Sequence, residues 1–131
     1  MIKFVYKILP AFVIYTSDLP ENKGGVANGF IVRIKPKYKS DNGILQHELT
    51  HIKQWYRTFT FHSLLYLFNK KYRLSSEVEA YREQLKYYLD DRTDLFAKFI
   101  AEDYNLDVER DNVIGMLKNG SWVLSFPWPR L

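Results

Sequence analysis

Apolar side chains recur at Leu45, Leu49, Ile52, Tyr56 and Phe59 with a 4-3-4-3 spacing. At about 100° per residue these positions share one stripe of an α-helix, whereas a strand, with its period of two, would divide them between both faces. The stripe therefore commits the stretch from Gly43 to about Thr58 to a helix with one side in a core, capped by Asp41 or Asn42. Opposite the stripe stand His47 and His51, flanked by Ile44 and Trp55.

The elements before that helix read as strands. Ile2 to Leu9 and Phe12 to Thr16 are rich in β-branched and aromatic residues, with a turn expected at Pro10. Ser17 to Ala27 reads as a polar loop, and Phe30 to Lys35 as a further strand stopped by Pro36. After it come helices. A short aromatic one is expected over 61–69, and one starting at Ser75-Ser76, with Glu77 and Glu79 in its first turn, runs to about Leu89. Two more are expected over 92–104 and 108–117, then a strand over 121–126 and a stiff Pro127-Trp-Pro129 tail. Strands first and helices after them predict an α+β fold: a small N-terminal antiparallel sheet followed by a helical bundle, in one domain over residues 1–131. The Phe-rich 59–68 segment is expected to be core.

With 131 residues the chain can bury a core unaided, and it has no Cys. That excludes a disulfide scaffold, a zinc ribbon and a thiolate nucleophile, and it suits a reducing, cytoplasmic setting. The longest apolar run, Ile8 to Tyr15, is broken by Pro10 and falls short of the ~20 residues a membrane helix needs. The two early lysines interrupt any signal-peptide pattern, so neither export nor a membrane partner is expected. Residues 1–73 carry 12 basic and 4 acidic side chains, and 74–131 carry 7 and 11. The asymmetry reads as one basic wall facing an acidic one. A basic nucleic-acid-binding domain is the less favoured reading, because no recognition motif accompanies the lysines.

The chemistry lies in His47-Glu48-Leu49-Thr50-His51, an H-E-x-x-H. Two His one helical turn apart can reach a single Zn²⁺, and the Glu between them can take a proton from a water beside it. A catalytic zinc needs a third protein ligand. Gln54 and Arg57 occupy the positions where an H-x-x-G-x-x-H extension would place Gly and His, so the ligand must come from elsewhere. On the later helix Glu77 shares a face with Ala80, Tyr81, Gln84 and Tyr88, while Glu79 and Glu83 fall on the solvated side. Glu77 is the expected third ligand and Glu79 the reserve.

His47 to His51 followed by Glu77-Val-Glu-Ala80 resembles the gluzincin metallopeptidases over about residues 43–90. The resemblance is closest to minimal stand-alone forms, including those of phage and mobile elements. It implies a zincin-like fold with the metal between two helices, zinc on His47, His51 and Glu77, Glu48 as general base, and a peptide or protein substrate. It also implies a substrate-pairing edge strand, here matched to Phe30, Ile31, Val32, Arg33 and Ile34. Tyr81 stands where the family carries an acidic residue that orients a zinc-binding His. His62 and Tyr81 are candidates for an oxyanion donor, with Tyr56, Tyr66 and Tyr72 as rivals. A catalytically weak relative acting as a binding or regulatory module is the alternative.

Overall fold

The computed structural model describes residues 1–120. The expected strand over 121–126 and the Pro-Trp-Pro tail lie outside them. Strands β1 (Ile2–Val5) and β2 (Leu9–Tyr15) form an antiparallel hairpin. Its turn is at Tyr6 and Lys7, both left-handed at φ 51° and 70°, the backbone that suits a tight hairpin, and not at Pro10. Pro10 sits inside β2 opposite Phe4, and pairing to the next strand begins only at Phe12, so its missing N–H breaks no ladder.

The segment read as a polar loop contains a further strand, β3 (Gly25–Asn28), which pairs antiparallel with β4 (Ile31–Ile34). Because β3 intervenes in the chain, the backbone reverses twice and β4 returns parallel to β2. The sheet, in the order β1-β2-β4-β3, is therefore mixed and not antiparallel. Short Gly-Val-Ala-Asn lacks the large alternating residues by which strands are recognised, which is why the sequence hid it.

Among the described residues five α-helices follow and make the architecture α+β. Helix α1 (Asn42–Arg57) is capped by Asp41, whose carboxylate accepts the Ile44 N–H at 3.1 Å. Helix α2 (His62–Phe68) is short, and α3 (Lys70–Leu85) begins at Lys70, where Asn69 caps it by accepting the Tyr72 N–H at 3.0 Å. Ser75 and Ser76 are thus interior to α3, buried against α1, and do not start it. Helix α4 (Thr93–Asp103) pairs with α5 (Arg110–Asn119), which ends on Gly120 at φ 66°.

Two apolar clusters divide the molecule. Val5, Ala11, Val13, Val32 and Ile34 of the sheet pack on Leu45, Leu49 and Ile52, the stripe of α1. Val78 and Tyr81 of α3 pack on Phe96, Ile100, Val113 and Leu117. Between the clusters α1 lies directly against α3, with the fully buried Ala80 permitting a close approach. The aromatic segment is not core: Phe59, Phe61 and Phe68 are 83%, 60% and 77% exposed. None of the described helices is long and apolar enough to cross a membrane.

Candidate metal centre

The α1–α3 seam should be apolar if packing alone shaped it. Instead it buries His47, His51 and Gln54 from α1 and Ser76 and Glu77 from α3. Glu77 is 2% exposed, on the inward face the helical wheel assigns it. Its Oε1 lies 3.4 Å from His47 Nε2 and its Oε2 3.4 Å from His51 Nε2, and the two Nε2 atoms are 3.3 Å apart. The two imidazoles and the carboxylate form a triangle of ligand groups, with one ligand atom from each within 4.8 Å of the others and each imidazole facing a different carboxylate oxygen. With bonds of about 2.0–2.1 Å to a central Zn²⁺, ligand atoms stand about 3.3–3.4 Å from one another.

Other observations agree with a cation at this point. Among the described residues Glu77 Oε1 is buried without a hydrogen-bond partner. A carboxylate so placed is costly unless a positive charge offsets it. In the metal-free chain that charge falls on His51. Burial disfavours charging the imidazole, but the Glu77 carboxylate outweighs burial and lifts it to about 9. Burial likewise acts to raise Glu77, yet His51 and His47 hold it well below the ordinary carboxylate range. His47, His51 and Glu77 thus fit a metal ion with two nitrogens and a carboxylate, a donor set that suits zinc.

Glu48 stands beside the triad without joining it. It is 6% exposed and lies on the walls of two adjoining clefts, of about 400 and 290 Å³, that share Lys23, Gly25, His47, Glu48 and Tyr104. Burial raises the Glu48 carboxyl, an effect His47 and His51 oppose, so its proton affinity exceeds that of a free carboxylate. Gly25 of β3 makes room for it. A Cβ there would come within 3.2 Å of Glu48 Oε1 and 3.1 Å of its Cγ.

The expected substrate strand is misplaced. Ile31, Val32, Arg33 and Ile34 form β4, which is hydrogen-bonded to β2 on one side and β3 on the other and so has no free edge. Val32 and Ile34 are buried on α1, and Phe30, just before the strand, packs on Phe12 and Trp55. None of the five borders the larger cleft. Among the described residues β3 is the outer strand on the β4 side of the sheet, and all four of its residues, Gly25 to Asn28, line that cleft.

Glu79, the reserve ligand, is also engaged elsewhere, accepting from Arg57 Nη2 at 2.9 and 3.0 Å and from Gln54 Nε2 at 2.7 Å. His62 and Tyr66 line the cleft on the α2 side. Burial, reinforced by the charge on His51, depresses His62 to about 3 and keeps it neutral, with its Nδ1 2.6 Å from the Tyr72 hydroxyl. The Tyr66 hydroxyl donates to Glu77 Oε2. Tyr81 stacks edge-on against His47, ring centres 4.3 Å apart, and its hydroxyl lies 3.0 Å from that of Tyr104, so it abuts a ligand and borders only the smaller cleft. Tyr56 donates to the Pro10 carbonyl on the sheet side.

Tyr104, Gln54 and Ser76 complete the surroundings of the site, and local sequence patterns did not point to them. No family model, curated protein or solved structure matches the chain.

Proposed function

We propose that the protein is a zinc-dependent hydrolase, most readily a peptidase. The observation that carries this reading is the three-donor triangle opening onto a cleft whose wall holds one further buried carboxylate, Glu48. His47, His51 and Glu77 would hold Zn²⁺, which when bound polarises a scissile carbonyl and acidifies water. Glu48, with its raised proton affinity, takes the proton of the attacking water and returns it to the departing amine nitrogen as the C–N bond breaks. The water oxygen ends on the carbonyl carbon, so the products are a carboxylic acid and an amine. The edge of β3 offers main-chain groups to an extended peptide laid along the cleft. His62, Tyr66 and Tyr104, all on the cleft wall, are the groups from which an oxyanion donor would come.

A second reading is a metal-dependent binding module, favoured by the Tyr66 hydroxyl, which holds one of the ligand oxygens from within the cleft. Glu48→Gln separates the two. In an enzyme it keeps stoichiometric zinc and loses roughly 10²–10⁴-fold of the turnover measured on a mixed peptide library. Peptide hydrolysis by Glu48→Gln at the wild-type rate, or by wild type in excess chelator, would refute the catalytic reading.

A further inference from the structure

The geometry assigns Gln54, Ser76 and Glu79 to a positioning network that presents Nε2 of His51, and not Nδ1, to the metal centre. This deepens the proposed zinc reading and depends on it.

Gln54 lies three residues beyond His51 on α1, and its amide is buried between α1 and α3. Its Nε2 faces the Ser76 carbonyl at 3.1 Å and Glu79 Oε1 at 2.7 Å. Both are acceptors only at neutral pH, so the amide cannot be turned around without setting oxygen against oxygen. Glu79 is itself fixed by Arg57, which donates to both carboxylate oxygens. The other end of the amide, Oε1, must then face His51. It lies 2.9 Å from Nδ1 and accepts the Ser76 hydroxyl at 2.6 Å, with Ser76 Oγ 3.2 Å from the same Nδ1. An amide oxygen can only accept, so Nδ1 of His51 carries hydrogen, and when the ring gives up a proton to bind a metal it is Nε2 that is left with the lone pair. The orientation set at Glu79 is thus transmitted through one amide to the ligating atom.

This arrangement answers a gap left by the motif. The family resemblance carries an acidic side chain at the position of Tyr81, and Tyr81 gives His47 only a ring contact. Glu79, two residues earlier on the same helix, supplies a carboxylate at one remove, and it serves His51 instead. His47 has no counterpart among the described residues, where its buried Nδ1 is without a hydrogen-bond partner. The two ligands of one motif are therefore held unequally.

The test uses the full chain, with zinc affinity measured by chelator competition and the His51 Nδ1–H signal read from the ¹⁵N spectrum of zinc-loaded protein. Gln54→Met keeps the length of the side chain and removes the acceptor. It should weaken zinc binding roughly 10–100-fold and expose the Nδ1–H to rapid solvent exchange. Glu79→Met touches no ligand and should shift both readouts the same way by less, while Glu83→Gln, at a half-buried side chain paired with Lys86, moves neither. If Gln54→Met does not fold, Glu79→Met carries the same two readouts. Wild-type affinity in these variants overturns the network and leaves the metal centre standing. Weakened affinity with an unmoved Nδ1–H signal also overturns it, since that is a packing effect. A wild-type chain that takes up no zinc overturns both.

Discussion

Helix α1 is buried on two sides, and the two sides differ in chemistry more than in depth. Toward the sheet it presents Leu45, Leu49 and Ile52, at 8%, 5% and 0% exposure; toward α3 it presents His47, His51 and Gln54, at 6%, 8% and 4%. Equal burial means unequal energetics. The apolar side gains from leaving water, whereas the polar side recovers its desolvation cost only through partners. On the sheet side many apolar sequences of similar volume would serve. On the α3 side His51, Gln54 and Ser76 are joined by hydrogen bonds, while Glu77 Oε1 and His47 Nδ1 are buried without a hydrogen-bond partner among the described residues. Apolar packing would stabilise the same contact without that cost, so the contrast separates the side that drives folding from the side that holds the candidate metal site.

Substitutions on the two sides should therefore fail in opposite ways. Glu77→Ala removes a donor from the triangle and should abolish zinc retention through dialysis while leaving helical circular dichroism intact. Wild-type zinc content in this variant would break the comparison at its base. Ile52→Ala opens a cavity under the sheet and should lower unfolding free energy by about 2–5 kcal/mol in denaturant titrations. The folded fraction should still bind zinc as the wild type does; parallel loss of affinity would mean the two sides are not separable.

Much of this was legible beforehand. The 4-3-4-3 stripe fixes α1, the motif rides on it, and the wheel position of Glu77 beside Ala80 and Tyr81 points it inward, as found. All of these are local periodicities. The misses share the opposite character. β3 is a strand because β4 offers it an edge, and α3 extends back to Lys70 because Asn69 caps it there. Ser76 and Gln54 meet only because α1 and α3 pack closely, and Glu79 is drawn from solvent by an arginine 22 residues away. A one-dimensional pattern carries no record of such pairings. The exposed Phe59, Phe61 and Phe68 show the converse error, in which composition suggests core and topology puts the segment outside.

The polar side should also announce itself through pH. In metal-free protein His51 is lifted from 6.5 to about 9, by Glu77 against the effect of burial, so its contribution to stability is complete below pH 6.5 and disappears as pH rises through about 9. Glu77, held below 4.5, contributes above that value and loses its contribution on acidification. The metal-free Tm should accordingly fall between pH 6.5 and about 9, while zinc affinity rises across the same window as the metal displaces the His51 proton. Flat behaviour in both would mean that His51 and Glu77 do not pair. The smallest effect belongs to a residue serving both sides at once. Asp41→Ala removes the α1 cap and a 2.8 Å bond from the Tyr88 hydroxyl, and should cost about 1–2 kcal/mol in a thermal melt without changing zinc affinity.

The claim on which the rest depends is that His47, His51 and Glu77 hold one zinc ion. Anomalous diffraction at the zinc edge, from crystals of the zinc-loaded chain, addresses it in a single map. The account predicts one strong peak about 2.0–2.2 Å from Nε2 of His47, Nε2 of His51 and a carboxylate oxygen of Glu77. A map with no peak there, or with its zinc held by other side chains, would contradict it.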